Sequence, residues 1–181
     1  MKKVFISVLL AIFLVPCFGQ VKSKPSVELE IGVGGLYSFD KLFFDSVSPG
    51  VMPYGELRYN FHFAPVSIGV NASAQFFRRS VDDEKMDFNS KNVLLVADYS
   101  FPLGGKELFA GIGAGMGFYD QRDDLQRGRN GQFFYVDEVS GPFCIMPRIG
   151  MRLGRHARLT MAYLFEDKAN RNLNLRLGYI F

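Results

Sequence analysis

The last nine residues, LNLRLGYIF from Leu173 to Phe181, alternate strictly between two kinds of side chain. The first set is apolar throughout: Leu173, Leu175, Leu177, Tyr179 and Phe181. The second set is mostly polar or small: Asn174, Arg176, Gly178 and Ile180. Successive side chains of a β-strand point to opposite faces, so the stretch predicts a strand with one apolar and one mostly polar face. A strand with lipid outside and a polar lumen inside has this pattern.

The same period of two recurs through the chain upstream. It predicts seven further strands, over about residues 26–39, 51–61, 66–77, 92–101, 108–119, 143–153 and 157–165. Long polar loops at 40–50, 78–91, 120–141 and 166–171 alternate with short turns at 62–65, 102–106 and 154–156. We therefore predict an all-β fold, an eight-stranded antiparallel up-and-down transmembrane β-barrel.

The apolar face of these predicted strands carries no charge, which is the pattern that lipid requires. Arg or Lys at the bilayer midplane would cost about 2–4 kcal/mol. Aromatic residues cluster at both ends of this face, as expected at two membrane interfaces. At the long-loop end they are Phe39, Phe76, Phe118, Phe143 and Phe165, and at the short-turn end Tyr59, Phe61, Tyr99, Phe101, Tyr179 and Phe181. The alternative, a soluble eight-stranded barrel such as a lipocalin, would place its apolar face inward and its charges outward.

The terminal ladder Leu177, Tyr179 and Phe181 resembles the C-terminal insertion signal of bacterial outer-membrane barrels. Together with the eightfold dyad pattern, it makes the chain similar to the small outer-membrane barrel families: OmpX, the OmpA membrane domain and the PorT-like barrels. The resemblance implies a location in the cell outer membrane, with both termini in the periplasm. It also implies contact with outer-membrane lipid and lipopolysaccharide, and recognition of the last strand by the barrel-assembly machinery. It specifies a structural class and leaves the biological role open.

The N-terminus predicts export. Lys2 and Lys3 precede an apolar run, which is typical of a secretory signal peptide over residues 1–19 and gives a mature barrel domain over 20–181. Cys17 leaves open the alternative that the chain is lipidated there. Cys144 is the only other cysteine, so no intrachain disulfide framework is predicted. The formal net charge of +3 falls to about +1 without the two signal-peptide lysines, which argues against a nucleic-acid partner.

The inward face near the short-turn end collects charges of both signs. They are Glu28, Glu30, Glu56, Arg58, Asp98, Arg148, Arg152, Arg158 and Arg176. Buried charges are costly unless they pair, and an eight-stranded barrel is just wide enough for its own side chains. We expect a salt-bridge network that plugs this half of the lumen, and an open ion pore is not favoured.

The inward face near the long-loop end is more apolar. Its residues are Leu36, Tyr54, Phe77, Leu94, Val96, Gly113, Gly115, Gly117, Met146 and Leu164. One interpretation is packing, in which the glycines make room for large neighbours. The alternative is an apolar pocket for a lipid or small apolar ligand. Pro147 cannot donate a ladder hydrogen bond, so we expect a bulge or a local break in pairing there.

Catalytic and metal-binding patterns are weak. Small barrels include lipid A-modifying enzymes, whose chemistry would need a histidine near the outer leaflet. His62 and His156 both fall in predicted short turns, at the opposite end, so no catalytic residue, cofactor or metal is assigned.

The remaining candidate is the loop at 120–141, where Asn130 and Gly131 predict a hairpin turn. A protruding ribbon there, with Phe133 to Tyr135, could pair with a strand of a protein partner.

Overall fold

The computed structural model describes residues 26–38, 46–47, 49–81, 84–104, 106–127, 133–166 and 171–181. The predicted signal peptide, the boundary at residue 20 and Cys17 lie outside the described residues. None of the described residues forms a helix long and apolar enough to cross a membrane.

The described residues form ten strands. They are β1 (Ser26–Ser38), β2 (Ser46–Val47), β3 (Gly50–Asn60), β4 (Val66–Val81), β5 (Glu84–Leu103), β6 (Lys106–Arg127), β7 (Phe133–Ser140), β8 (Phe143–Leu153), β9 (Ala157–Phe165) and β10 (Arg171–Ile180). Eight of them follow one another as β4-β3-β1-β10-β9-β8-β6-β5, and pairing of β5 with β4 closes the sheet. Each of these neighbours is antiparallel. The predicted eight-stranded antiparallel barrel is confirmed.

The long-loop end differs from the prediction, because two pairs of strands extend beyond the barrel. The predicted loop at 78–91 is wrong: β4 and β5 stay paired from Phe76↔Asn89 to Val81↔Glu84. Beyond the lipid belt a strand pair needs no apolar face, since its backbone hydrogen bonds form without one. The alternation of apolar and polar residues that indicates a membrane strand is therefore absent from this extension. From its sequence alone, a paired strand rich in charges cannot be distinguished from a loop.

The second extension is the predicted ribbon. β6 leaves β8 above Met116↔Phe143 and continues with β7 from Tyr119↔Ser140 to Arg127↔Phe133, with one irregularity between Asp123 and Gln126. The ribbon hypothesis is confirmed for the backbone. The Asn130–Gly131 turn lies outside the described residues.

Proline interrupts the barrel ladder at two places without shifting its register. Between β8 and β9 the ladder runs Ile145↔Phe165 and then Arg148↔Ala162, which skips Pro147. The predicted local break is confirmed, and the constant register shows that no bulge accompanies it. Pro53 acts in the same way between β3 and β4, where the ladder passes from Val51↔Phe76 to Tyr54↔Ser73. A missing N–H removes a hydrogen bond but leaves the strand extended.

The outward face is apolar and the inward face carries the charges. Leu95 is 70% exposed and Leu175 56%, whereas Arg148 is 4% exposed. Outward aromatics lie at both ends, with Phe143 near the long loops and Tyr179 and Phe181 near the short turns. This is the opposite of a soluble barrel, and it is the distribution that a bilayer stabilises.

Among the described strand residues, three outward positions carry a charge: Lys91 of β5, and Lys106 and Arg171, which are the first residues of β6 and β10. Lys91 was assigned to a loop by its sequence, but it belongs to β5, exposed beside Ala74 and Phe118. Phe118 belongs to the aromatic level at the long-loop end. Near an interface a lysine costs only about 0–1 kcal/mol, so this position is compatible with a membrane-spanning barrel.

Candidate functional site

The centre of the lumen near the short turns holds six ionised side chains that contact one another in a closed cycle. We call them the charge ring, in the order of contact: Glu30, Arg58, Glu56, Arg148, Asp98 and Arg158. They come from β1, β3, β5, β8 and β9, so the cycle crosses the lumen. Carboxylates and guanidiniums alternate around it, three of each, and the formal charges cancel.

Arg148 is the most heavily bonded member of the charge ring. Its Nη1 and Nη2 donate to Glu56 Oε2 and Oε1 at 2.5 and 2.9 Å. Its Nε and Nη2 donate to Asp98 Oδ1 and Oδ2, both at 2.8 Å. Both carboxylates are thus held in a bidentate fashion, the geometry in which an Arg–carboxylate pair is strongest. The side chains are about 1–3% exposed, so water screens them little.

The other contacts of the charge ring link its two remaining arginines. Arg58 donates to Glu30, and its Nε lies 3.2 Å from Glu56 Oε1. Arg158 Nη2 donates to Asp98 Oδ2 at 2.6 Å, and its Nη1 lies 3.8 Å from Glu30 Oε2, which completes the cycle. Two aromatic groups support these contacts. Tyr54 Oη donates to Glu30 Oε1 at 2.6 Å, and the Arg158 guanidinium lies 3.5 Å from the Phe109 ring centroid.

Glycines on the facing strands provide the space for these carboxylates. Gly111 on β6 is the Cα partner of both Asp98 and Arg148. A Cβ there would overlap Asp98 Oδ1 and lie 2.5 Å from the Ala97 carbonyl oxygen. A Cβ at Gly178 would likewise overlap Glu30 Oε1. The glycines therefore form sockets for charged side chains, a role that the sequence pattern did not indicate.

Two of the predicted network residues form a separate pair at the short-turn mouth. Arg152 Nη1 and Nη2 both donate to Glu28 Oε1 at 3.0 Å, and Glu107 lies 3.8 Å from Arg152. These side chains are 11–33% exposed. Between this pair and the charge ring lies a cavity of about 10 Å³, enough for one water molecule.

Arg176 differs from the other predicted network residues. It is 2% exposed, and no carboxylate of the described residues lies within 4.0 Å of it. Its partners are neutral: Asn174 Oδ1 at 2.7 Å, Met146 Sδ at 2.8 Å and Asn71 Oδ1 at 3.4 Å. The Tyr54 ring centroid lies 5.3 Å from its guanidinium.

Arg176 belongs instead to a chain of side-chain amides that rises toward the long loops. We call it the amide column: Gln75, Asn172, Asn174, Arg176 and Asn71. Asn71 Nδ2 donates to Glu56 Oε2 at 3.0 Å, so the column rests on the charge ring. Asn71, Gln75, Asn172 and Asn174 were not among the residues predicted to form a site. The terminal strand could have indicated the column, because Asn172, Asn174 and Arg176 occupy alternate positions and therefore lie on the same inward face.

The predicted apolar residues pack against one another on the other wall of the upper lumen. Leu94, Val96, Cys144, Met146, Ala162 and Leu164 form one buried cluster. Leu36 and Tyr54 are also buried, while the Phe77 side chain lies outside the described residues. A Cβ at Gly113 would lie 3.2 Å from both Met146 Cε and Val96 Cγ1, so this glycine admits the cluster. Gly115 and Gly117 instead face the β5 backbone and the Glu166 carboxylate.

Both histidines lie in short turns, as predicted. His62 is exposed, with its ring 5.4 Å from that of Phe63. His156 is exposed and contacts the end of β10. Across the described ranges, no group of three or more His, Cys, Asp or Glu is placed to hold a metal ion.

No family model matches the chain, and no curated protein does. Solved structures of eight-stranded outer-membrane barrels do match it. Neisserial surface protein A superimposes with a TM-score of 0.58 at 13% identity, covering 87% of this chain and 97% of that one. Ail, the attachment invasion locus protein of Yersinia pestis, matches with a TM-score of 0.45 at 18% identity, covering 88% and 100%. Its complex with the heparin analogue sucrose octasulfate gives 0.46 at 19%, covering 87% and 99%. The superposition on Neisserial surface protein A shows a shared barrel fold, and it does not assign the chain to the OmpX, OmpA or PorT-like family.

Proposed function

We propose that this chain is a non-enzymatic integral outer-membrane barrel whose lumen is closed by the charge ring and which acts through the surface at its long-loop end. The observation that carries the closed lumen is the cycle of ion pairs itself. It joins five of the eight barrel strands, in a barrel whose interior is just wide enough for side chains.

The energetics favour a permanent plug over a gate that opens readily. Each ring carboxylate contacts two arginines, and opening a path would separate several buried pairs. Removing one partner of a buried pair costs about 3–5 kcal/mol, because the other charge stays behind uncompensated. A barrel closed in this way works as a scaffold in the membrane and not as a channel.

The orientation follows from the two ends of the barrel. Ser26 pairs with Asn60 and Phe181 N donates to Leu29 O, so both ends of the described chain lie at the short-turn end. Small outer-membrane barrels keep short turns in the periplasm and longer loops outside. We therefore infer periplasmic termini, with the β4–β5 and β6–β7 extensions at the cell surface. The apolar belt would contact outer-membrane lipid and lipopolysaccharide, and β10 would be the strand that the assembly machinery recognises.

The ribbon of β6 and β7 is the part best suited to bind a protein partner. In the described residues β7 pairs with β6 alone, so its second edge is open. An open edge presents a row of backbone donors and acceptors that an extended segment can pair with. Deleting residues 121–138 should abolish surface binding while the barrel still migrates as a heat-modifiable folded species. Binding that survives the deletion would contradict this role.

The break in the ladder at Pro147 favours one alternative function, lateral passage of a lipid or small apolar ligand. The break lies beside Met146 and Leu164 of the apolar cluster. A bound lipid-like probe should then protect Cys144 from thiol reagents, and absence of protection would exclude this alternative. Lipid A modification is the weakest alternative, and unchanged lipid A in a deletion strain would exclude it.

A further inference from the structure

His156, in the turn between β8 and β9, makes three contacts with the last residues of β10. Its carbonyl oxygen accepts a hydrogen bond from Ile180 N at 2.7 Å. Its ring Nδ1 lies 3.0 Å from the Ile180 carbonyl oxygen. Its ring also stacks on Tyr179, with 5.4 Å between centroids and 9° between planes. A carbonyl oxygen only accepts, so Nδ1 carries the proton and donates.

These contacts continue the ladder beyond the last backbone pair between β9 and β10. That pair is Tyr179↔Ala157. One residue further on, the imidazole supplies the donor that a backbone N–H would supply in a regular strand pair. The side chain of a turn residue thus holds the strand end in place.

The strand end held in this way covers the charge ring. Ile180 is the Cα partner of Glu30, a member of the ring. Its side chain is 2% exposed and lines the one-water cavity together with Arg58 and Arg158. Displacing Ile180 would therefore open the short-turn side of the ring to water.

We propose that His156 is a positioning residue that latches the C-terminal end of β10, so that Ile180 seals the charge ring from the short-turn mouth. The latch builds on the proposed closed lumen but has its own readout. Its test measures hydrogen exchange at the strand end, whereas the closed lumen is tested by ion conductance, so each can fail without the other.

The test compares amide exchange at Ile180 and Phe181, measured by NMR on the full barrel in lipid nanodiscs. His156→Ala should speed exchange at these two amides about tenfold, the effect of losing one hydrogen bond. Exchange of the Arg158 guanidinium protons should also become faster. His62→Ala is the matched control, since that histidine contacts Phe63 and no described residue of β10, and it should leave both amides unchanged.

Two further variants separate the hydrogen bond from the stacking. His156→Asn places an amide Nδ2 at the same number of bonds from the backbone as Nδ1, so it should keep exchange within about twofold of the parent. His156→Phe keeps a ring against Tyr179 without a donor and should exchange nearly as fast as the alanine variant. Heat-modifiable migration shows which variants fold. If the alanine variant does not fold, the comparison of the Asn and Phe variants tests the proposal instead. Equal exchange in the alanine variant and the parent, or rescue by Phe and not by Asn, would overturn the proposal.

Discussion

The two halves of the lumen fill the same cross-section with different chemistry. Near the short turns, six charges neutralise one another in the charge ring. Near the long loops, an apolar cluster on one wall faces the amide column on the other. Glycines make room for the side chains in both halves: Gly111 lies beside Asp98 of the charge ring, and Gly113 lies beside Met146 of the apolar cluster. A narrow barrel therefore requires a closely packed interior. Either ionic or apolar groups can supply that packing, so the lumen is not polar throughout.

Breaking the charge ring should give the largest effect. Arg148→Ala leaves the buried Glu56 and Asp98 carboxylates without their bidentate partner. We expect the free energy of unfolding to fall by about 3–5 kcal/mol, measured by urea titration of the heat-modifiable form.

The control for this prediction is Arg152→Ala at the partly exposed mouth. Its pair with Glu28 is better solvated, so we expect a loss of only about 1 kcal/mol. Equal losses for the two variants would mean that burial does not distinguish the ring from the mouth.

Emptying the apolar half should have the next largest effect. Leu164→Ala removes a fully buried side chain from the apolar cluster, and we expect a loss of about 3 kcal/mol in the free energy of unfolding. Leu175→Ala, on the outward face, is the matched control because lipid tails can fill the space it leaves. The inward variant should lose about 1–2 kcal/mol more, the contribution of the cavity. A larger loss at Leu175 would show that the upper lumen is not closely packed.

These two predictions rest on partner assignments that the sequence could not supply. Alternation over Leu173–Phe181 and seven other segments predicted the barrel, because lipid constrains one face of every strand. It also predicted which charges point inward. Pairing depends on strand register and on height in the lumen, and neither can be read from alternation. Arg176 was therefore grouped with the ion pairs, although its partners are amides and a thioether. The β4–β5 extension was assigned to a loop because its sequence lacks the alternation of apolar and polar residues that lipid imposes on a strand.

Filling a glycine socket should cost about 2 kcal/mol. In Gly111→Ala the new Cβ meets Asp98 Oδ1 and the Ala97 carbonyl oxygen, and the backbone oxygen cannot move aside. Gly35→Ala is the control, since a Cβ there meets no atom within 4 Å. The difference between the two thermal unfolding midpoints measures the socket. Equal midpoints would show that Asp98 does not need the space at Gly111.

Cutting the amide column should have the smallest effect. Asn174→Ala removes the acceptor of Arg176 Nε, and we expect a loss of about 1–2 kcal/mol in the free energy of unfolding. Asn89→Ala, at an exposed position of β5, should stay within about 0.5 kcal/mol of the parent. A loss at Asn174 as large as that at Arg148 would mean that the column, and not the charge ring, holds the lumen together.

The most direct test of the central claim is ion conductance through the folded barrel in a planar bilayer. With the charge ring intact, the parent protein should carry no steady current at any applied voltage the bilayer tolerates. The Arg148→Ala barrel, where it inserts in heat-modifiable form, should carry brief current openings at most, because the apolar cluster and the amide column still fill the long-loop half of the lumen. A steady, ohmic current through the parent protein would contradict a lumen closed by paired charges.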